Sequence, residues 1–270
     1  MRSSLKICYE CAVRGDALTK EEVEYAYCAV LQYDGRNYHG WQRLRDHPTL
    51  QAATELAIEG AFARRAAVAA AGRTDRGAHA EGQVVSFCLS EELAPEAVAD
   101  ALNQRLPPDI RVLHARAVPS SFHARTSALG KVYQYRIASA VKISSEQRGR
   151  VWHLPKQLDI KRMQQAAQAL VGRQDFASFA TKSRFARGPT IRELHEASVA
   201  ESNDLVVVQL HADSFLYHMV RNVVRALVKV GEGRFEPERI AEILAARDRA
   251  ASPGSAPASG LYLMRVIYEA

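Results

Sequence analysis

The sequence predicts an α+β fold built from two related halves, with largely antiparallel mixed sheets and helices packed on them. Strand and helix patterns occur in both halves in a similar order, but without the strict alternation of a parallel βαβ sheet. No GxGxxG motif follows a strand and no GxxxxGK[ST] motif occurs, so neither a Rossmann nor a P-loop fold is indicated. The 270 residues, of which 47% are hydrophobic, suffice for one large domain or two smaller ones.

Residues 25–140 form the predicted N-terminal half. Alternating residues from Tyr25 to Tyr33 indicate a half-buried strand, and further strands are expected near 84–89, 111–118 and 132–138. We expect Thr49 to open a helix, and Ser90 to cap a second one that ends near Leu102. The predicted buried stripe of the first helix consists of Leu50, Ala53, Ala57, Ala61 and Phe62.

Residues 151–270 form the predicted C-terminal half, after a linker at 140–150 that is rich in serine, glycine and charge. Helices are expected around 160–170 and 216–230, and Pro237 lies in the first turn of a third helix. Strands are expected near 194–200, 205–211 and 261–268.

Residues 1–24 look like an N-terminal extension of mixed charge. Cys8 and Cys11 form a CxxC pair, but neither a second pair nor a His pair follows at zinc-finger spacing, so we assign the pair no metal or redox function. No run approaches the roughly 18 apolar residues of a membrane helix, and charges interrupt the first residues too often for a signal peptide. We therefore expect a reduced, soluble, cytoplasmic protein.

The positive charge is concentrated in the middle of the chain. Residues 111–192 hold 16 basic and 3 acidic residues, whereas residues 1–110 and 193–270 each have a slight acidic excess. Such a segment favours a polyanionic partner, in particular nucleic acid, over a merely solvated basic surface. Arg184 and Arg187 are candidates for contacts with phosphates.

The segment AGRTDRGAHA at 71–80 is the densest group of candidate catalytic residues. It places Asp75 between Arg73 and Arg76, with glycines that allow a ligand to approach the backbone. The neighbouring arginines favour the ionised carboxylate, which could act as a nucleophile or a base. A surface turn with solvated arginines is an equally good interpretation of this segment alone.

Two further segments carry polar groups in unusual places. Tyr133 and Tyr135 alternate with basic residues on a predicted strand, which suits base stacking but also ordinary core packing. Helix 216–230 has an apolar face and a polar stripe, which either meets anionic partners or forms an exposed edge. The stripe consists of His218, Arg221, Asn222 and Arg225.

Six segments then occur in order between residues 25 and 268. They are YDG at 33–35 with Tyr38 and GWQR at 40–43, AGRTD at 71–75 with Gly77 and His79, FHAR at 122–125, YQYR at 133–136, HMVRN at 218–222, and GLYL at 260–263. Together they resemble the TruA family of tRNA pseudouridine synthases, over nearly all of the chain except the extension.

The resemblance implies a cofactor-free and metal-free isomerase, an intramolecular transferase. Its substrate would be tRNA, with uridines 38, 39 and 40 of the anticodon stem-loop converted to pseudouridine. It also implies the pseudouridine synthase fold, with two halves that meet at a positively charged cleft, and a homodimer.

The resemblance assigns a role to each candidate site residue. Asp75 matches the catalytic aspartate, Tyr133 the residue that stacks on the flipped base and accepts the C5 proton, and Arg221 the arginine that pairs with the aspartate. For substrate binding, Arg73 matches an arginine that engages RNA and Leu261 an apolar residue of the uracil pocket. We expect Arg125, in the FHAR segment, to bind substrate as well.

Two departures from the family pattern affect the expected pocket shape. Ala78 stands where valine is usual and Thr126 where an aromatic residue is common. The alternatives to a synthase are an RNA-binding protein without catalysis and a base-excising glycosidase. The glycosidase would ordinarily show two carboxylates around the bond, whereas the GRTD block holds one.

Overall fold

The computed structural model describes residues 24–181, 188–202 and 204–269. Cys8, Cys11, Arg184 and Arg187 lie outside the described residues, as does all of the predicted extension except its last residue. Backbone contacts divide the chain into two compact units. The first comprises the described residues of Met1–Arg76 and Ala80–Ala128, and the second those of Gly77–His79 and Leu129–Ala270.

In the first unit, strand β1 (Tyr25–Tyr33) pairs antiparallel with β3 (His79–Leu89) on one edge and with β4 (Ile110–Ala117) on the other. A short strand, β2 (Ala69–Ala70), pairs with β3. The predicted strand is confirmed, and its alternation holds at the end, where Leu31 and Tyr33 are buried while Gln32 is exposed. It fails earlier, because Cys28 is buried between Tyr27 and Ala29.

Helices α1 (Leu50–Phe62) and α2 (Pro95–Asn103) complete the first unit, where α2 packs against β4 and α1. Thr49 caps α1 as predicted, since its side chain accepts a hydrogen bond from the N–H of Ala52. The predicted stripe of α1 is only partly right. The buried positions are Leu50, Thr54, Ala57 and Ile58, and the Thr54 hydroxyl is satisfied by donating to the Leu50 carbonyl.

The prediction that Ser90 caps α2 is wrong. Ser90 is exposed, and the helix begins five residues later at Pro95 without a side-chain cap. A proline in the first helical turn has no N–H to satisfy and a φ angle already suited to the helix. The Glu91 and Glu92 carboxylates that suggested an earlier start therefore precede the helix.

In the second unit, strand β5 (Gly130–Ala138) is paired on both edges. The other strands are β6 (Trp152–His153), β7 (Gly172–Asp175), β8 (Ile191–Ser202), β9 (Leu205–Ala212) and β10 (Leu261–Ile267). Antiparallel pairing gives the order β10, β5, β9, β8 and β7, whereas β6 lies parallel to β5. The predicted, largely antiparallel sheet is thereby confirmed.

The helices of this unit are α3 (Ile160–Gln168), α4 (Met219–Gly231) and α5 (Arg239–Ala246). Helix α3 packs against β8 and α4. The predicted apolar face of α4 is confirmed, with Val223, Val224 and Leu227 fully buried. Its start at Met219 is later than expected because His218 has a left-handed backbone, with φ of 61°.

The division into units differs from the expected boundaries by one strand. We expected the N-terminal half to extend to residue 140, but β5 belongs to the second unit because it pairs with β9 and β10. Residues 140–150, the predicted linker, form bends and turns. Among the described residues, no helix is both long and apolar enough to cross a membrane.

The cap of α3 yields a prediction about stability. Asp159 is exposed, and its Oδ1 accepts a hydrogen bond of 3.0 Å from the N–H of Arg162. We expect Asp159→Ala to lower the free energy of unfolding by about 1 kcal/mol, because that N–H loses its protein partner. Chemical unfolding measures the change. Asp159→Asn is the matched control, since asparagine caps as well, and an equal loss in both variants would contradict the capping role.

Candidate active site

Asp75 lies in an irregular loop of the first unit, ahead of β3. Asp75 is half-buried, whereas Arg73 and Arg76 are exposed. The base of the loop is bound to β3, because the N–H of Ala71 donates to the Val84 carbonyl at 2.8 Å. The loop therefore presents one carboxylate between two arginines that reach solvent.

Thr74 connects this loop to the end of β1. The hydroxyls of Thr74 and Tyr33 share a hydrogen bond of 2.8 Å, and Gln83 Nε2 donates to the Gly72 carbonyl at 2.7 Å. Burial raises the pKa of Tyr33 to about 12, although the hydrogen bonds from Thr74 and Gln83 oppose the shift. Tyr33 therefore stays protonated near pH 7. Its bond to Thr74 and the bond from Gln83 to Gly72 fix the backbone that precedes Asp75.

Arg125 lies in a turn of the first unit that His123 organises. The Nδ1 atom of His123 accepts hydrogen bonds from the N–H groups of Arg125 and Thr126, at 3.1 and 3.3 Å. The N–H of Ala124 donates to Ser86 Oγ on β3 at 3.1 Å. The turn is thus fixed to the sheet while Arg125 and Thr126 remain exposed.

In the second unit, Tyr133 and Leu261 lie on the same face of the sheet. Leu261 is opposite Tyr135 and Leu263 is opposite Tyr133 in the antiparallel pairing of β10 with β5. Facing residues of such a pair, and residues two apart on one strand, project to the same side. The ring of Tyr133 also meets that of Phe215 edge to face, with 5.0 Å between centroids.

Arg221 holds the loop that leads into β10. Its Nε donates to the Ala256 carbonyl at 2.7 Å, and the N–H of Ala256 donates back to the Arg221 carbonyl at 3.0 Å. The hydroxyl of Tyr135 donates to the neighbouring Pro257 carbonyl at 2.6 Å. Burial raises the pKa of Tyr135, while the positive charges of Arg221 and Arg225 oppose the shift.

Asn222 shows that the polar stripe of α4 is not an exposed edge. It is fully buried, and its Nδ2 donates to the Phe179 carbonyl at 2.6 Å. Its Oδ1 accepts hydrogen bonds from Ser255 Oγ and from Arg249 Nη2. Arg225 lies with its Cζ 5.3 Å from the ring centre of Trp152. Asn222 and Arg225 therefore have partners inside the protein, which include a carbonyl, a hydroxyl, a guanidinium group and an aromatic ring.

Reasoning from sequence assigned no role to a stack of three side chains in the second unit. The rings of His79 and Tyr262 are stacked at 4.6 Å, and Arg136 Cζ lies 3.7 Å from the centre of the Tyr262 ring. His79 Nε2 donates to the Gly149 carbonyl, and the Tyr262 hydroxyl donates to the Arg150 carbonyl. The sequence could have indicated these residues, because each of the three shares a motif segment with a candidate site residue.

The second unit thus brings Tyr133, Leu261 and Arg221 to one side of its sheet, through the β5–β10 register and the loop at 252–260. In the first unit, Asp75 and Arg73 share one loop, while Arg125 occupies a separate turn. Among the described residues, no three His, Cys, Asp or Glu side chains are grouped as metal ligands.

Comparison with known proteins relates this geometry to a family. The family model described as tRNA pseudouridine synthase matches residues 29–127 and 166–269. Those ranges contain Asp75, Arg73, Arg125, Arg221 and Leu261, whereas Tyr133 lies between them.

Several curated relatives carry the name tRNA pseudouridine synthase A. That of Thermotoga petrophila is 41% identical over 242 residues, which cover 89% of this chain and 98% of the relative. Those of Methylacidiphilum infernorum and Neisseria meningitidis serogroup B are each 40% identical, covering 90% of this chain and 95% and 91% of the relatives. With most of its length matched by both comparisons, this chain belongs to the tRNA pseudouridine synthase family.

Proposed function

We propose that this protein is an isomerase that converts uridine to pseudouridine in the anticodon stem-loop of tRNA, at positions 38, 39 and 40. The observation that carries the proposal is the AGRTD loop, in which the half-buried Asp75 stands between two exposed arginines. Family membership supports the reaction class, and the basic segment at 111–192 suits a nucleic-acid substrate.

The chemistry needs few groups. The N1–C1′ bond of uridine breaks, the uracil turns over, and C5 bonds to C1′ while C5 loses its proton and N1 gains one. No electrons enter or leave, so the atoms balance without a redox partner. One carboxylate suffices, either to attack carbon or to take a proton, and Asp75 fills that role.

Tyr133 and Leu261 are the proposed contacts with the base. The target uridine must leave its stack, at a cost of a few kcal/mol in order of magnitude, which stacking and apolar contacts offset. Tyr133 offers an aromatic ring for that purpose and a hydroxyl to accept the C5 proton. Leu261 adds an apolar wall, because it projects from the same sheet face as Tyr133.

The arginines have two proposed roles. Arg73 and Arg125 are exposed, as required for contacts with the RNA backbone. Arg221 is the proposed cationic group of the reaction. Its Nε donates to the Ala256 carbonyl, which orients the guanidinium group beside the loop that leads into β10. Arg221 belongs to the motif segment HMVRN, and β10 begins in the motif segment GLYL.

We also propose that the protein acts in the cytoplasm, as its composition favours, and as a homodimer, as the resemblance implies. Light scattering of the purified chain measures the mass in solution. A mass of twice 29.9 kDa is expected, and a mass of 29.9 kDa would contradict the dimer.

The first functional prediction concerns the carboxylate. Asp75→Asn should abolish pseudouridine formation but leave tRNA affinity within about threefold, because the carboxylate acts in the transition state. Nucleoside analysis of a uridine-containing tRNA after incubation measures the product. The matched control is Asp100→Asn, at an exposed position of α2.

The same assay separates the alternative functions. Pseudouridine as the product supports the proposal, free uracil would indicate a glycosidase, and unchanged uridine would indicate a binding protein without catalysis. Residual turnover of Asp75→Asn above a few per cent of the parent rate would exclude Asp75 as the catalytic carboxylate.

The second prediction concerns the Tyr133 hydroxyl. Tyr133→Phe keeps a ring against Phe215 but removes the proposed proton acceptor, so the single-turnover rate should fall by about 100-fold. With 5-deuterated uridine in the tRNA, the variant should show a larger isotope effect than the parent. Tyr25→Phe, on β1, is the matched control. A Tyr133→Phe rate close to that of the parent would remove the hydroxyl from the reaction.

The third prediction concerns the basic segment. Affinity for tRNA should fall by roughly 100-fold or more between about 50 and 200 mM salt, because phosphate contacts release counterions. Replacing Arg184 and Arg187 together by Glu should weaken binding without changing the rate for bound tRNA.

The matched double replacement for this test is Arg65→Glu with Arg105→Glu, at exposed arginines outside the basic segment. Filter binding over a salt series measures all three proteins. A flat salt response, or equal weakening by both pairs, would mean that the segment does not contact the RNA.

A further inference from the structure

Gly40, in the GWQR segment, lies against the backbone that carries Asp75. A Cβ atom at position 40 would be 2.7 Å from the Thr74 carbonyl oxygen, 3.1 Å from the Arg76 nitrogen and 3.2 Å from the Asp75 carbonyl carbon. Real Cβ atoms essentially never approach another heavy atom within 3.0 Å. The two backbone segments can therefore be this close only because residue 40 has no side chain.

The backbone conformation of Gly40 adds a second requirement. Its φ angle is +90°, a region that residues with a side chain rarely adopt. The N–H of the next residue, Trp41, donates a hydrogen bond of 3.0 Å to the Thr74 carbonyl. Gly40 and Trp41 therefore hold the same carbonyl, one by close approach and one by donation.

The segment that presses on Thr74 is itself anchored. The Tyr38 hydroxyl donates to Asp109 Oδ1 at 2.6 Å, beside the start of β4. On the other side, the N–H groups of Leu50 and Gln51, in the first turn of α1, donate to the carbonyls of Gly40 and Trp41. A displacement of residues 38–41 would break hydrogen bonds both to Asp109, just before β4, and to the first turn of α1. This segment is therefore fixed in place.

Thr74 is held from the opposite side by Tyr33, through the hydroxyl bond of 2.8 Å. Both hydroxyl groups are buried, and the Tyr33 ring is fixed at the end of β1. Thr74, the residue before Asp75, is thus held at both ends. Its carbonyl contacts residues 40 and 41, and its side-chain hydroxyl bonds to Tyr33. This leaves the Asp75 backbone little freedom to move.

We propose that Gly40 and Tyr33 are positioning residues for the reaction, which act by fixing the backbone of Asp75 and hence the direction of its carboxylate. The inference rests on the proposed catalytic role of Asp75. A misplacement of about 1 Å at a reacting group can cost on the order of 100-fold in rate. A Cβ at position 40 would force a displacement of that kind at Thr74, Asp75 or Arg76.

Gly172 provides a matched control for Gly40. It also has a left-handed backbone, with φ of +102°, but a Cβ there would meet no heavy atom within 4 Å. Gly172→Ala therefore introduces the same type of backbone strain as Gly40→Ala without a collision. It lies at the start of β7, within the basic segment at 111–192, but glycine adds no charge to that segment and residue 172 has no proposed role in the chemical step.

The experiment uses the full chain and a tRNA transcript labelled with tritium at uridine C5. Single-turnover release of tritium measures the rate, and filter binding measures affinity for tRNA. We expect Gly40→Ala to lower the rate by about 100-fold with tRNA affinity within about threefold of the parent. We expect Gly172→Ala to keep the parent rate even if its melting temperature falls.

Tyr33→Phe tests the opposite side of the support and keeps the test decisive if Gly40→Ala does not fold. It retains the ring and removes the bond to Thr74, so we expect a loss of roughly tenfold in rate with unchanged tRNA affinity. A merely structural role would lower thermal stability and leave the rate of the folded enzyme intact.

Three results would overturn the positioning roles. They are a Gly40→Ala rate within about threefold of the parent, an equal rate loss in Gly172→Ala, and, for Tyr33, a parent-like rate in Tyr33→Phe. The proposed function fails in a different way, because the unsubstituted chain would then release no tritium. An active parent with an inactive Asp75→Asn therefore establishes the function before the positioning variants are compared.

Discussion

The pairing of β5 on both edges is the constraint on which the second unit depends. With β10 on one side and β9 on the other, two sets of backbone hydrogen bonds fix its register. That register places Leu261 opposite Tyr135 and Leu263 opposite Tyr133, all on one face. A slip of one residue would turn these side chains to the other face. The geometry around Tyr133 is therefore a consequence of strand pairing and not of the local segment alone.

Polar groups of α4 connect this helix to the loop that precedes β10. Asn222 has neither charge nor access to solvent, so its amide must find partners inside the protein, and it finds them in Phe179, Ser255 and Arg249. Arg221 exchanges two hydrogen bonds with Ala256. Because the bonds to Ser255 and Ala256 end on the loop at 252–260, helix α4 holds the loop that leads to Leu261.

The sequence predicted those features that local chemistry decides. The alternation from Tyr25 to Tyr33 marked β1, and the hydroxyl of Thr49 marked the start of α1. It failed where two local signals competed. Ser90 was a plausible cap, but the proline at 95 starts the helix without one. The α1 stripe was shifted because alanine is too small to distinguish a core position from a neighbouring one, whereas the buried Thr54 was discounted as polar.

Contacts between distant segments could not be predicted in this way. The candidate residues were identified one by one from their motifs, but the partner of β5 and the stack of His79 on Tyr262 depend on the tertiary fold. The close approach of Gly40 to Thr74 is similar. The sequence shows that residue 40 has no side chain, but only the structure shows that Thr74, Asp75 and Arg76 lie where a Cβ atom would be.

The motif segments therefore combine two kinds of residue that sequence alone does not separate. Asp75 and Tyr133 carry groups with chemistry suited to the proposed reaction. Gly40 instead lies against the backbone of Thr74 to Arg76, and His79 and Tyr262 stack on each other and donate to backbone carbonyls. A reacting group gains rate only if it is held in place before the substrate arrives, since ordering it afterwards would cost binding energy. Supports of this kind must be rigid, and those described for the Asp75 backbone are a buried pair of hydroxyls and a glycine packed against the backbone, neither of which depends on a flexible exposed side chain.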